Sequence, residues 1–419
     1  MVDPAHKPLL SSVLEIMAEK FGRYSLIDKI GVGGMAEVFL ARHTGVEGFE
    51  KEIVIKRIRS HLSESPEFVN MFLGEAKLAA QLNHPCIVQI YDLGKIKDSF
   101  FIAMEYIAGR DMSAVIPKSK LTGIPFPLEY AFKIAGHVCE ALYFAHTKAD
   151  QMGSPLNIVH RDVSPENIRV AWTGTVKILD FGIAKAATQI HETKAGQIKG
   201  KVSCMSPEQV LGKTVDRRSD IFSLGIVLYE WISGFKLFSG DNDLAIMNNI
   251  IEGKIYPPSY FRDDIPAEAE TVLMKALEKN PQNRYQSAAD MQLDIDAFLA
   301  EHEFMPSNIH LSNFMKQLFK DELAAEQAKR AHLGQETSDL REISVNIENP
   351  MLKEKQKDVD SNLLDVNPKL IEEEKTKEGL LLHLNGEEMQ TLETLAQSRN
   401  TSMEAIAEDI ITHYLKYRD

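Results

Sequence analysis

The segment His160-Arg161-Asp162-Val163-Ser164-Pro165-Glu166-Asn167 decides the fold, together with Asp180-Phe181-Gly182 thirteen residues after Asn167. The apolar run Val176-Lys177-Ile178-Leu179 leads into Asp180 like a short strand. A carboxylate such as Asp162 can orient a hydroxyl for attack. The Asn167 amide carbonyl and the Asp180 carboxylate are hard oxygens of the kind Mg²⁺ prefers. Either segment alone would carry little weight.

Upstream lies Ile30-Gly31-Val32-Gly33-Gly34-Met35-Ala36-Glu37-Val38. Glycines let backbone N–H groups approach phosphates with no Cβ in the way. The run departs from G-x-G-x-x-G because Ala36 holds the third place. Ile53-Val54-Ile55-Lys56 ends an apolar strand on a lysine. Nineteen residues later Glu75 falls within Phe68 to Leu82, whose apolar spacing predicts a helix. A glutamate so placed can hold a lysine at nucleotide phosphates. The plainer reading is a structural lysine with a buried stem. Downstream come Met205-Ser206-Pro207-Glu208, then Asp220-Ile221-Phe222-Ser223-Leu224-Gly225, and then Arg284.

Five elements in this order and at these separations leave no room for coincidence. The sequence resembles the bacterial branch of the eukaryotic-like (Hanks-type) serine/threonine protein kinases, from residue 24 to about 300. The resemblance implies an α+β, two-lobed fold, a small β-rich N-lobe on a large helical C-lobe, with ATP in the cleft. It implies that residues 30–38 cover the phosphates and that Lys56, held by Glu75, contacts the α- and β-phosphates. Asp162 is then the catalytic base, and Asn167 and Asp180 bind Mg²⁺. Met104 falls at the gatekeeper, the backbones of Glu105 and Ile107 at the adenine hinge, and Asp111 at the ribose. Glu208 with Arg284 becomes a structural ion pair, and Asp220 braces the catalytic loop. The implied reaction moves the ATP γ-phosphate to hydroxyls of protein substrates, with autophosphorylation.

Several positions depart from the family pattern. Ser164 stands where a lysine is usual, and Lys201 where a threonine is usual. One ammonium and one hydroxyl remain, on exchanged positions, so Lys201 is expected to supply charge at the γ-phosphate and Ser164 to bond near Asp162. The alternative is a simple loss at 164 and a surface lysine at 201. Val54 replaces a small alanine, and Arg169 replaces an apolar floor residue under the adenine. The guanidinium either stacks on the base or weakens nucleotide binding. The latter supports an alternative, a kinase-like scaffold with poor catalysis. Arg161 is of the kind that receives an activation-loop phosphate, and Thr193 is the better of the two loop threonines, 188 and 193.

The chain has 419 residues, 44% hydrophobic and 26% charged, with a net charge of −14. That is a soluble globular composition with mass for two or three domains, and its bulk charge argues against non-specific binding to nucleic acid or anionic membrane. Three cysteines (Cys86, Cys139, Cys204) are too few and scattered for a disulfide framework or a zinc site; Cys204 is a candidate exposed thiol. No apolar run reaches a membrane span, the best being Ile221 to Ile232. The N-terminus lacks a signal peptide, so a cytoplasmic protein is expected. Residues 1–23 read as an N-terminal helical extension.

Residues 301–378 read as a helical extension passing into a charged flexible linker; residues 301–419 carry 14 basic and 24 acidic side chains. Residues 379–419 regain periodicity as a β-α-α module, too small to bury its apolar face alone. It is similar to ribbon-helix-helix modules, which are intertwined dimers that often read DNA. From 380 to 419 three basic residues face seven acidic ones, so a homodimer without DNA is expected. A helical hairpin docked on the kinase, or a kinase fused to a DNA-binding regulator, are the alternatives.

Overall fold

A computed structural model describes residues 19–45, 49–181 and 202–327. The N-lobe is a six-stranded antiparallel sheet in the order β1-β2-β3-β4-β6-β5. Its strands are β1 (Glu19–Phe21), β2 (Tyr24–Val32), β3 (Ala36–Thr44), β4 (Glu50–Ile58), β5 (Ile90–Ile96) and β6 (Ser99–Glu105). The central strand β4 explains why Ile53-Val54-Ile55 is apolar without alternation: both faces are covered. Ile53 and Ile55 pack with Phe21, Tyr24 and Phe101 on one side. Val54 and Ile58 pack on the other with Phe72 and Ala76 of helix α1 (Pro66–Ala79). Lys56 follows at the cleft end of the strand, beside Val38 on one neighbour and Ile102 on the other.

Glu19–Phe21 is a strand, not part of a helical extension: it pairs residue by residue with Tyr24–Leu26. The pairing buries Phe21 against Phe101, edge to face at 5.4 Å between centroids. Residues 1–18 lie outside the described residues.

The C-lobe opens with β7 (Gly109–Asp111), α2 (Met112–Thr122) and α3 (Leu128–His146). Strands β8 (Ile168–Ala171) and β9 (Val176–Ile178) complete a three-stranded sheet, β7-β8-β9, that carries the catalytic segment. Helix α4 (Arg217–Ser233) is buried from Ser219 to Ser233, so the longest apolar run is the heart of this lobe. Among the described residues no helix is long and apolar enough to cross a membrane. Helices α5 (Asp243–Glu252), α6 (Ala267–Ala276), α7 (Ala288–Glu301) and α8 (Asn308–Leu318) follow; α6 packs on α4, α7 on α3 and α4, and α8 on α2.

The folded body runs past residue 300. Leu311, Phe314, Met315, Leu318 and Phe319 join the same core as α3 and α4. Ser312 Oγ donates to Trp172 O at 2.6 Å, and Arg110 pairs with Glu326 at 2.9 Å. The start of the expected extension is therefore part of the C-lobe. Residues 328–419, including the expected dimerisation module, lie outside the described residues.

Candidate active site

The glycine turn joins β2 to β3, closed by the Gly33 N–H donating to Ala36 O at 2.8 Å. None of Gly31, Gly33 and Gly34 has positive φ, so the turn itself does not require glycine. A Cβ on Gly34 would meet nothing within 4 Å. The bare backbone borders open space, which suits close approach by a phosphate. Below it, Val38, Val54, Met104, Ile107 and Leu179 share one apolar cluster where a base would lie.

Lys56 Nζ reaches Asp180 Oδ1 at 3.0 Å across the cleft. Glu75 sits on α1 as expected, but its side chain lies outside the described residues, as do Gly182, Thr188, Thr193 and Lys201.

The catalytic loop is held from beneath by Asp220, in the first turn of α4 and 1% exposed. Its carboxylate accepts from the backbone N–H of His160 at 2.8 Å and of Arg161 at 2.7 Å, and lies 2.8 Å from His146 Nε2. The bracing role that the resemblance assigns to Asp220 is thus visible in its bonds. His160 Nδ1 accepts from the Asp162 N–H at 3.2 Å, while Nε2 donates to Leu179 O at 2.9 Å. Burial holds this imidazole's pKa below its ordinary value, against the raising influence of Asp220 and Asp162, so it stays a neutral strut.

Asn167 is the junction. Its Nδ2 donates to Asp162 O at 2.8 Å and to Asp162 Oδ2 at 3.0 Å. Its backbone oxygen accepts from the Leu179 N–H at 2.8 Å, which fixes the strand end that delivers Asp180. With Nδ2 committed, the amide carbonyl remains as a neutral hard oxygen on the residue that anchors the strand end leading into Asp180. This donor set fits Mg²⁺. Arg161 and Asp180 both have positive φ, +65° and +43°, a conformation non-glycine residues rarely adopt outside functional sites.

Three of the expected site residues have partners, or lack them, as follows. Ser164 is 1% exposed, yet its Oγ has no hydrogen-bond partner among the described residues. It does not bond to Asp162. Asp111 caps α2, accepting from the Ala114 N–H at 3.2 Å and from Ser113 Oγ. Arg169 pairs opposite Asp111 in the sheet and turns to the segment expected to form the hinge: Nε donates to Ile107 O and Nη2 to Gly109 O, both at 2.8 Å. Its guanidinium is a brace between β8 and the hinge, and Nη1 stands 3.8 Å from Asp111. Sequence reasoning missed this because a lone arginine does not announce which carbonyls it will meet. Glu105, the other hinge residue, is held by Lys177 at 2.9 Å.

The structural ion pair is as expected. Arg284 Nη1 and Nη2 reach the two Glu208 oxygens at 2.7 and 2.9 Å, both residues buried. Burial acts to raise the Glu208 pKa, but Arg284 and the Ser219 hydroxyl outweigh it and hold it below the usual carboxylate value. Cys204 is buried rather than exposed, and burial pushes its thiol up to about 12, which removes the basis for a reactive thiol.

Comparison with known proteins agrees with this geometry. The family model described as the protein kinase domain matches residues 24–295. The tyrosine-protein kinase MasK of Myxococcus xanthus is 42% identical over 322 residues, covering 77% of this chain and 50% of MasK. The serine/threonine-protein kinase PknB of Mycobacterium leprae is 39% identical, covering 65% of this chain and 42% of PknB. PrkC of Bacillus subtilis is 35% identical, covering 65% and 40%. The chain thus spans half or less of the length of these relatives. The crystal structure of the Mycobacterium tuberculosis PknI kinase domain superposes with a TM-score of 0.50 at 26% identity, covering 67% of this chain and 98% of that domain.

Proposed function

The chain belongs to the protein kinase domain family, and from that premise we propose that it transfers the γ-phosphoryl group of ATP to serine and threonine hydroxyls of proteins, itself included. The observation that carries this reading is the convergence of Lys56, Asp162, Asn167 and Asp180 on one cleft edge. Asp162 orients the acceptor hydroxyl and takes its proton, while the Asn167 amide holds the carboxylate in place. Lys56 provides fixed positive charge for the phosphates. Asn167 and Asp180 are the residues that would hold Mg²⁺, which when bound would supply charge for the transferring group. The open backbone at 31–36 closes over the phosphates, and Glu105 and Ile107 meet the adenine edge. Lys201 supplies the cation missing at 164. A cytoplasmic setting, where ATP is available, accompanies this reading.

The test is incubation of the full chain with labelled ATP and Mg²⁺, followed by phosphosite mapping. Asp162→Asn should lower incorporation by about 10²–10⁴-fold while the circular dichroism and melting curve stay as in the parent. Undiminished labelling by that variant would overturn the assignment. Lys201→Ala should reduce kcat with little change in KM for ATP, as loss of a transition-state contact does.

Ser164 favours a second reading of the acceptor. Its small side chain is buried with an unpartnered hydroxyl, where the long side chain of a lysine is usual. The relative named as a tyrosine kinase is the more similar of the three described above. Phosphotyrosine among the mapped sites would establish that reading; phosphoserine and phosphothreonine alone would exclude it.

A further inference from the structure

A cluster where the loop between α1 and β5 meets α3 has no part in the phosphoryl transfer described above; the Cys86 carbonyl there accepts from the Ile178 N–H of β9 at 2.8 Å. Cys86 lies in the loop between α1 and β5, and His137 and Glu140 lie three residues apart on α3. Cys86 Sγ is 3.7 Å from His137 Nδ1 and 3.7 Å from Glu140 Oε2, and those two atoms are 3.6 Å apart. The imidazole and the carboxylate are too far apart to be hydrogen-bonded. A tetrahedral zinc centre has bonds of about 2.3 Å to sulfur and about 2.0–2.1 Å to nitrogen or oxygen, which makes the edges between ligands about 3.3–3.6 Å. The triangle is larger than one face of that tetrahedron by only a few tenths of an ångström.

We propose that Cys86, His137 and Glu140 form a binding site for a borderline-soft divalent cation, Zn²⁺ by donor chemistry. One thiolate, one imidazole and one carboxylate select Zn²⁺ over Mg²⁺ or Ca²⁺. The sulfur is buried, but the His137 and Glu140 side chains are 28% and 45% exposed, so the cation has a path in from solvent. Burial and the Glu140 carboxylate push the free Cys86 thiol up to about 12, so the cation itself displaces the proton to solvent, at a cost in affinity; the thiolate and carboxylate then balance its two positive charges.

His84 completes the arrangement from the other side. Its Nδ1 accepts from the Cys86 N–H at 3.1 Å, which leaves the ring proton on Nε2, 3.4 Å from Glu140 Oε1. It therefore orients the carboxylate, and the fourth coordination position is left to water. Lys177 is the nearer opposing charge, balanced in part by Glu105 at 2.9 Å, and it costs the site affinity. Lys133 also lies near the sulfur and costs the site some affinity.

The test uses the full chain, stripped with chelator and titrated with Co²⁺ and Zn²⁺. Cobalt bound through sulfur gives a thiolate-to-metal absorption band in the near ultraviolet, and the chain has only three cysteines to supply it. The band should saturate at one Co²⁺ per chain, be displaced by Zn²⁺, and vanish in Cys86→Ser. It should persist in Cys139→Ser and Cys204→Ser. Glu140→Gln, a near-isosteric change on a side chain 45% exposed, should also abolish it, which guards against a misfolded Cys86 variant. His84→Ala should weaken affinity by about 10–100-fold, the usual effect of removing a ligand's orienting partner. Absence of the band in the parent, or its survival in Cys86→Ser or Glu140→Gln, would overturn the proposal.

Discussion

Arg169 illustrates how a residue out of pattern acquires a structural task. A half-buried guanidinium keeps few donors for water, and this one gives two to Ile107 O and Gly109 O. Removing it leaves those carbonyls to find other donors and frees the hinge. Arg169→Leu is therefore expected to raise KM for ATP several-fold while kcat changes less, which steady-state kinetics with varied ATP will show. Glu208 makes a contrasting case. Its carboxylate is buried against Arg284, so Glu208→Gln should cost about 3–5 kcal/mol by leaving a buried charge uncompensated. The sign of the pH dependence follows from its lowered pKa. The stabilisation is complete above the ordinary carboxylate value of about 4.3 and is lost as pH falls through the lower folded value. Urea melts should show the gap between parent and Glu208→Gln narrowing at acid pH; a gap that widened there would contradict the pairing.

At the scale of elements, what the sequence revealed depended on whether the signal was local. The catalytic segment and β9 were legible because their residues are chemically constrained within twenty positions. The buried helix α4 was legible as an apolar run, and its single glycine has a reason visible only in packing: a Cβ on Gly225 would meet Leu277 at 3.1 Å. Strand β1 was not legible, because its partner and the Phe101 ring that covers Phe21 come from elsewhere in the chain. The zinc ligands escaped for the same reason: Cys86 is some fifty residues from His137 and Glu140, and only the helical spacing of the latter two was a clue. Helix α8 was read as the start of an extension because charge rises after it, although its apolar face belongs to the core. Truncation before Ser307 should therefore expose Trp172 and Phe126 and lower the melting temperature by several degrees, while truncation after residue 327 should not.

For the whole molecule, the proposed arrangement is a kinase body with a dimerising tail. The acidic balance of residues 380–419 disfavours DNA, and the apolar periodicity of that sequence predicts a face that needs a partner. A dimer joined through a long linker raises the effective concentration of one kinase domain at another. Removal of residues 376–419 should convert a dimer to a monomer in light scattering and slow autophosphorylation at low protein concentration. A full chain that is monomeric at tens of micromolar would contradict this, and salt-sensitive binding to duplex DNA would favour the regulator instead.

The hold of Arg169 on the hinge also bears on synthetic inhibitors. A flat heteroaromatic compound that lies along residues 105–107 and donates toward Ile107 O must share that oxygen with a guanidinium already bonded to it. A neutral donor aimed there gains less than a full hydrogen bond, and a basic one meets like charge. Scaffolds that place an acceptor, or plain hydrocarbon, at this corner should discriminate in favour of this protein over kinases whose floor residue is apolar.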